Sequence, residues 1–229
     1  MYKYQLHIHT TPCSKCGGLT AQTLCQALLE HGFQGGVITN HFYHGNSGIE
    51  RDGTSWQEFV SAYEQDFLSC KKEAEKYGLD IIFSIEESVK PGIEILCYGV
   101  TPEILYNNPQ LIHGELDEWI KVMRENDVVI VQAHPFREAD YIPIPGALPP
   151  EVLDGVEVFN RGNNTPEMNQ KALDFAIKHD LIKTSSADAH WQNHIPYGGI
   201  LTEQRIKNEK ELAAILRSRN FELIIPCRF

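Results

Sequence analysis

The chain of 229 residues (26.0 kDa) is 42% hydrophobic and 22% charged, an ordinary globular composition that excludes global disorder. Its 20 Lys and Arg against 31 Asp and Glu give a formal charge of −11, which argues against an extended nucleic-acid surface. No apolar run approaches the roughly 18 residues that cross a bilayer. The opening MYKYQLHIHT does not read as a signal peptide, so the six cysteines are expected as reduced thiols of a cytoplasmic protein.

Short apolar runs alternate with helical patterns along the chain, the mark of β-α units. In order, YQLHI, GGVIT, DIIFSI, EILCYGV, DVVIVQA, DGVEVFN, LIKTSS and ELIIP are predicted as strands. Apolar spacing predicts helices over 19–31, 56–77, 115–126, 166–179 and 207–218, the first two stopped by Gly32 and Gly78. Seven or eight such units predict an α/β fold, a single domain over residues 1–229 built as a barrel of mostly parallel strands. An open doubly wound sheet is the alternative, but its Gly-x-Gly-x-x-Gly phosphate fingerprint is absent. The proline-rich stretch from Tyr141 to Pro150 is expected as a loop at the mouth rather than a domain boundary.

The ten histidines are roughly twice an ordinary share. His7 and His9 end the first strand two residues apart, a spacing that turns both imidazoles to one side. Later strand ends deliver Asn40 and His41, then Glu86 and Glu87, then His134, then Asp188 and His190. Five histidines and at least two carboxylates thus gather where strands run into loops, the face on which β/α barrels build active sites. Mixed imidazole and carboxylate donors suit zinc, manganese or iron better than calcium or magnesium. Seven donors exceed what one open site takes, so two or three ions are expected. Adjacent strand residues face opposite ways, so only one of Glu86 and Glu87 can point inward.

The motifs His7-x-His9-Thr10, Thr39-Asn40-His41, Ser84-Ile85-Glu86, Ala133-His134-Pro135 and Ser186-Ala187-Asp188-Ala189-His190 occur in the order seen in the PHP family, the polymerase and histidinol phosphatase domain. The chain resembles that family from its first strand to His190. The resemblance implies a distorted seven-stranded TIM-like barrel with two or three divalent Zn, Mn or Fe ions. It implies hydrolysis of a small phosphomonoester or nucleotide-like phosphodiester by a metal-bound hydroxide. Carried over by residue, His7, His9, Glu86 and Asp188 hold one metal, and Glu86 bridges to a second held by His134. His41 and His190 hold a third with a residue from the loop after His9, Cys16 being preferred. Glu86 and Asp188 are then the catalytic carboxylates, with His194 or a metal-bound water as general acid. Three departures from the family stand out. Leu96 in EILCYGV occupies a position where many relatives carry a histidine, leaving the second metal short of a ligand. Asn40 replaces a common aspartate, and Ser84 a common glycine.

Arg137 and Arg161 follow strand ends and are phosphate-binding candidates, because the guanidinium fork matches phosphate oxygens; Lys15 is weaker. The Cys13-x-x-Cys16 pair has no second pair for a zinc ribbon, and Gly17 and Gly18 follow it where a thioredoxin-like motif would open a helix. Cys25, Cys70, Cys97 and Cys227 are expected as small buried apolar groups. His31, His113 and His179 are expected outside the site, with His44 within reach of it. An amidohydrolase or TatD-type metal hydrolase, and a non-catalytic metal-binding module, are the competing functions.

Overall fold

A computed structural model of the chain describes residues 1–226, so the expectation for Cys227 falls outside the described residues. The first elements are β1 (Tyr2–Ile8), α1 (Ala21–Glu30), β2 (Gly35–Ile38), α2 (Trp56–Glu75) and β3 (Asp80–Phe83). Then come β4 (Glu86–Lys90), β5 (Ile93–Tyr98), α3 (Pro102–Tyr106), α4 (Leu116–Glu125) and β6 (Val129–Gln132). The chain continues through β7 (Gly155–Asn160), α5 (Pro166–Lys178), β8 (Ile182–Ser186), β9 (Ile200–Thr202), α6 (Glu209–Ser218) and β10 (Glu222–Leu223). The first two helices start where side chains cap them. The Thr20 hydroxyl accepts from the Thr23 N–H and Ser55 from the Glu58 N–H, each closing a capping box.

The strands form two mixed five-stranded sheets, ordered β10-β9-β1-β2-β3 and β4-β5-β6-β7-β8. Within them β1-β2-β3 and β6-β7-β8 are parallel, while β5 runs antiparallel to both β4 and β6. The sequence expectation of one ring of mostly parallel strands is met only in its α/β character: among the described residues the strands form two mixed sheets, and the ladders do not close into a continuous ring. The cause is a hairpin that the apolar pattern hid. After β3 the chain re-enters a strand at Glu86 and turns through Pro91 and Gly92, whose φ of 75° suits glycine, before returning as β5.

Two isolated bridges join the sheets, Ile8 to Ala189 and His41 to Glu86. At the first seam the His9 N–H donates to the Ala189 carbonyl and the Ala189 N–H to the His7 carbonyl, both at 2.9 Å. At the second, the Phe42 N–H donates to the Glu86 carbonyl at 2.7 Å. Between the sheets Tyr4, Leu6, Val37, Ile82, Leu96, Tyr98 and Val131 pack as an inner core, joined by Leu212 and Leu216 of α6. A separate outer core includes Phe42, Trp56, Phe59, Tyr63 and Trp119, and Phe42 makes edge-to-face contacts with the other four. Cys25, Cys70 and Cys97 are buried, as expected. No helix among the described residues is long and apolar enough to cross a membrane.

Tight strand spacing at β2 gives a test of this arrangement. A β-carbon on Gly35 would lie 1.9 Å from the Asp80 carbonyl oxygen of β3. Gly35→Ala is expected to destabilise the protein by about 1–3 kcal/mol, read as a lower urea midpoint with an unchanged slope. An unchanged midpoint would show that β2 and β3 are not packed this closely.

Candidate metal centre

Both seams open onto the same place, and the strand ends that meet there carry the polar residues of the interior. β1 has a register shift between Gln5 and Ile8; beyond the inner-core Leu6, His7 and His9 turn toward the seam with β8, a use of irregular register common beside active sites. His134 and Asp188 adopt left-handed backbone, with φ of 30° and 50°. Residues with a β-carbon rarely occupy that region unless their surroundings hold them there.

Glu86 is the centre of the cluster. Its carboxylate, 1% exposed, lies 3.1 Å from His7 Nε2, 3.4 Å from His9 Nε2, 2.8 Å from His41 Nδ1 and 3.5 Å from His134 Nε2. None of these approaches is aligned as a hydrogen bond: both Glu86 oxygens and His41 Nδ1 are buried without a hydrogen-bond partner. Asp188 Oδ1 adds a second carboxylate 3.2 Å from His9 Nε2 and 3.5 Å from His7 Nε2.

Outer partners fix which nitrogen of each ring faces inward. His7 Nδ1 lies 3.0 Å from Glu157 Oε1, and Glu157 is a carboxylate that also accepts from Asn160 Nδ2, the His134 N–H and the Ser186 hydroxyl. His9 Nδ1 lies 3.1 Å from Ser14 Oγ, whose own proton goes to Asn40 Oδ1. His190 Nδ1 donates to the Asp188 carbonyl at 2.8 Å. In all three the Nδ1 proton is held outward, and the Nε2 lone pair is left for the interior. His7 Nε2 and His9 Nε2 therefore face each other at 3.0 Å. Two lone pairs at that distance repel unless a cation or a shared proton sits between them.

Electrostatics carry the same message. Burial opposes charge on Glu86, yet His7 and His41 hold its carboxyl well below the ordinary range. Burial also opposes charge on His7, but Glu86, Asp188 and Glu157 raise its pKa well above that of a free imidazole. His9, buried beside His41 and His190, is held well below. Burial and then the neighbouring Glu86 push the Glu94 carboxyl up. Burial pushes the Cys16 thiol up, but its contacts with His190 and His41 outweigh this and bring it down to about 6. The cluster is short of positive charge, and divalent cations fit it.

Among the described residues, three sets of donors are close enough to hold an ion, with their atoms within 4.8 Å of one another: His7, His9 and Glu86; His41, Glu86 and Glu94; and His9, His41 and His190. Their nitrogen and oxygen chemistry suits divalent transition metals. A cavity of about 430 Å³ opens over them, lined by Cys16, His41, Asn46, Glu86, Glu94, His134, Arg137, Tyr141, Asp188 and His190.

The structure thus brings His7, His9, His41, Glu86, His134, Asp188, His190 and Cys16 together around one cavity. Arg137 reaches the cavity wall, held by Asp188 at 2.8 Å and Asn160 at 2.7 Å. Arg161 does not: its guanidinium lies 5.9 Å from the Tyr197 ring centre, outside the cavity lining. His194 stands behind His190, accepting the His190 N–H at 3.3 Å, and is absent from the lining as well. Glu87 faces away and pairs with His44 Nδ1 at 2.6 Å, which leaves Glu86 as the inward carboxylate. Asn40 accepts from the Thr10 N–H and Ser14 hydroxyl and donates to Asp66, so it braces the loop after β1.

Leu96 requires a correction. It is fully buried in the inner core, and the residue beside His134 is Glu94, with Oε2 at 3.4 Å from His134 Nε2. Because β5 runs against its neighbours, its first residues, not its last, lie level with the ends of the parallel strands. Glu94 was the opening letter of EILCYGV, two residues from Leu96 and on the same face. Glu157 was missed for a related reason: it lies mid-strand in GVEVFN, and a lone acid in an apolar run was the available signal.

No protein-family model matches the sequence, and no curated protein matches it. Solved structures are similar in fold. A Bifidobacterium adolescentis protein provisionally named a metal-dependent phosphoesterase aligns at TM-score 0.57 and 17% identity over 93% of this chain and 95% of its own. A two-domain Bacteroides vulgatus protein containing a predicted PHP-like metal-dependent phosphoesterase aligns at TM-score 0.68 and 14% identity, over 98% of this chain and 64% of its own. An amidohydrolase from Chromobacterium violaceum with bound sulfate aligns at 0.54 and 13%, over 82% and 87%.

Exchanging the two β5 residues separates their roles. Glu94→Gln should weaken retention of one metal equivalent against a chelator, since a neutral amide is a poorer ligand than carboxylate. Leu96→Ala should leave metal content unchanged while costing about 2–5 kcal/mol of stability. Metal loss in Leu96→Ala but not in Glu94→Gln, read by elemental analysis, would reverse the assignment.

Proposed function

We propose that the chain is a metal-dependent phosphoester hydrolase of the PHP type, its residues 1–229 forming one distorted barrel-like catalytic domain. The observation that carries this reading is the buried Glu86 carboxylate, ringed by imidazole nitrogens and making no hydrogen bond of its own. His7, His9, Glu86 and Asp188 would hold one ion, and His134, Glu94 and Glu86 a second, leaving His41 and His190 on the far side of the cluster. Divalent Zn, Mn or Fe ions bound there would supply Lewis acidity, activating water at neutral pH and offsetting phosphoryl charge.

The chain's own residues provide the rest. Glu157 and Ser14 hold the His7 and His9 rings in the ligating tautomer. Arg137 is buried and always charged, and it is fixed on the cavity wall by Asn160, Asn163 and Asp188, ready to orient an anionic ester. A cavity of about 430 Å³ suits a small phosphorylated molecule rather than a polymer.

The test is turnover of p-nitrophenyl phosphate, its bis ester and an amide by metal-replete protein. Phosphoester hydrolysis is expected to need added metal and to disappear in Glu86→Gln. Arg137→Lys, which keeps the charge but loses the fork, should lower kcat/KM by at least about tenfold, ~1.4 kcal/mol. Amide hydrolysis alone would establish the amidohydrolase activity instead. Stoichiometric metal without any turnover would mark a non-catalytic module.

A further inference from the structure

The thiol of Cys16 lies on the cavity wall, and the two ions assigned above do not use it. Resting on the metal-hydrolase reading, we propose that Cys16 is a thiolate ligand which, with His190 and His41, makes one corner of the centre selective for a thiophilic ion of the zinc class.

Donor supply is the first support. His9 and His41 each belong to two of the three donor sets, whereas each ring nitrogen offers a single lone pair. With His9 committed beside His7, the corner at His190 holds two imidazoles and needs another donor. Cys16 Sγ is 3.2 Å from His190 Nε2 and within reach of the His41 ring. Sulfur and nitrogen ligands of one zinc ion are themselves about 3.5 Å apart. The His190 Nδ1 proton is spent on the Asp188 carbonyl, so the nitrogen facing Cys16 carries the lone pair. Independently, His41 Nδ1 is buried without a hydrogen-bond partner.

The loop is built to hold the sulfur there. The Gly18 N–H donates to the His190 carbonyl at 2.8 Å, tying the loop to the strand end it faces. A β-carbon on Gly18 would lie 1.9 Å from the Trp191 ring, and one on Gly17 would be 3.1 Å from the His9 carbonyl oxygen. The two glycines after Cys16 thus permit a close approach that larger residues would prevent. Cys13, by contrast, is buried in the outer core, so the Cys-x-x-Cys spacing is not a chelating pair. Thiolate favours zinc, cobalt(II) and cadmium over manganese or magnesium, while the carboxylate-rich side around Glu86 and Glu94 also accepts harder ions.

Cobalt(II) reconstitution of the full chain reads this directly, because sulfur-to-cobalt charge transfer gives a near-ultraviolet band that nitrogen and oxygen ligands do not. The wild type is expected to show the band. Cys16→Ser should lose it together with one tightly held equivalent, and Cys13→Ser should retain both. Zinc should be held at least about tenfold more weakly at that equivalent in Cys16→Ser. Two or more bound cobalt ions with no band, or a band that survives Cys16→Ser, would overturn the proposal and leave the hydrolase reading standing. Failure of the wild type to bind cobalt or zinc at all would overturn both.

Discussion

A carboxylate buried at the meeting point of two sheets sets the terms for the interior of this protein. An unpaired charge taken out of water costs several kcal/mol even after the surroundings relax, and Glu86 has no hydrogen bond to offset that cost. Positive charge must therefore be delivered to it. Against the burial that opposes its charge, Glu86, Asp188 and Glu157 raise the His7 pKa, whereas burial and the neighbouring His41 and His190 lower that of His9. Divalent ions would supply positive charge more completely, since the His7, His9 and His190 lone pairs are already aimed inward by partners in the next layer. Ion binding there would thus be linked to folding through a single side chain.

The two seams explain how distant segments reach that side chain. Each sheet is open, and each seam is a single bridge with a few backbone hydrogen bonds. One bridge sets His7 and His9 beside Asp188 and His190; the other sets His41 beside Glu86. A closed run of ladder pairing would leave less room at these junctions for loops to splay and for side chains to converge. Arg137 adds the remaining charge, balancing Asp188 within the cavity wall.

Much of this was legible in the residues. His7-x-His9, the Asp188-x-His190 pair and the isolated His41 and His134 all stand at strand ends, and strand ends meet in an α/β fold. The β4–β5 hairpin was not legible, because DIIFSIEESVK reads as one apolar run fading into charge, and its break at Ser84 carries no glycine or proline. Missing that reversal inverted β5 and shifted the expected ligand position from Glu94 to Leu96. His194 and Arg161 were placed near the site by chain proximity, whereas the turn after His190 carries His194 away from the cavity lining and Arg161, just past β7, lies against the Tyr197 ring. Alternation allowed only one of Glu86 and Glu87 to face inward, and the family resemblance chose Glu86.

Anomalous diffraction from crystals of the protein grown with zinc or manganese, measured across each metal edge, tests the central claim most directly. The account predicts at least two anomalous peaks within coordinating distance of the inner donors, with the Glu86 carboxylate shared between two of them. Well-ordered crystals with metal in the solvent, no peak beside Glu86 and a protonated hydrogen-bond network in its place would contradict it.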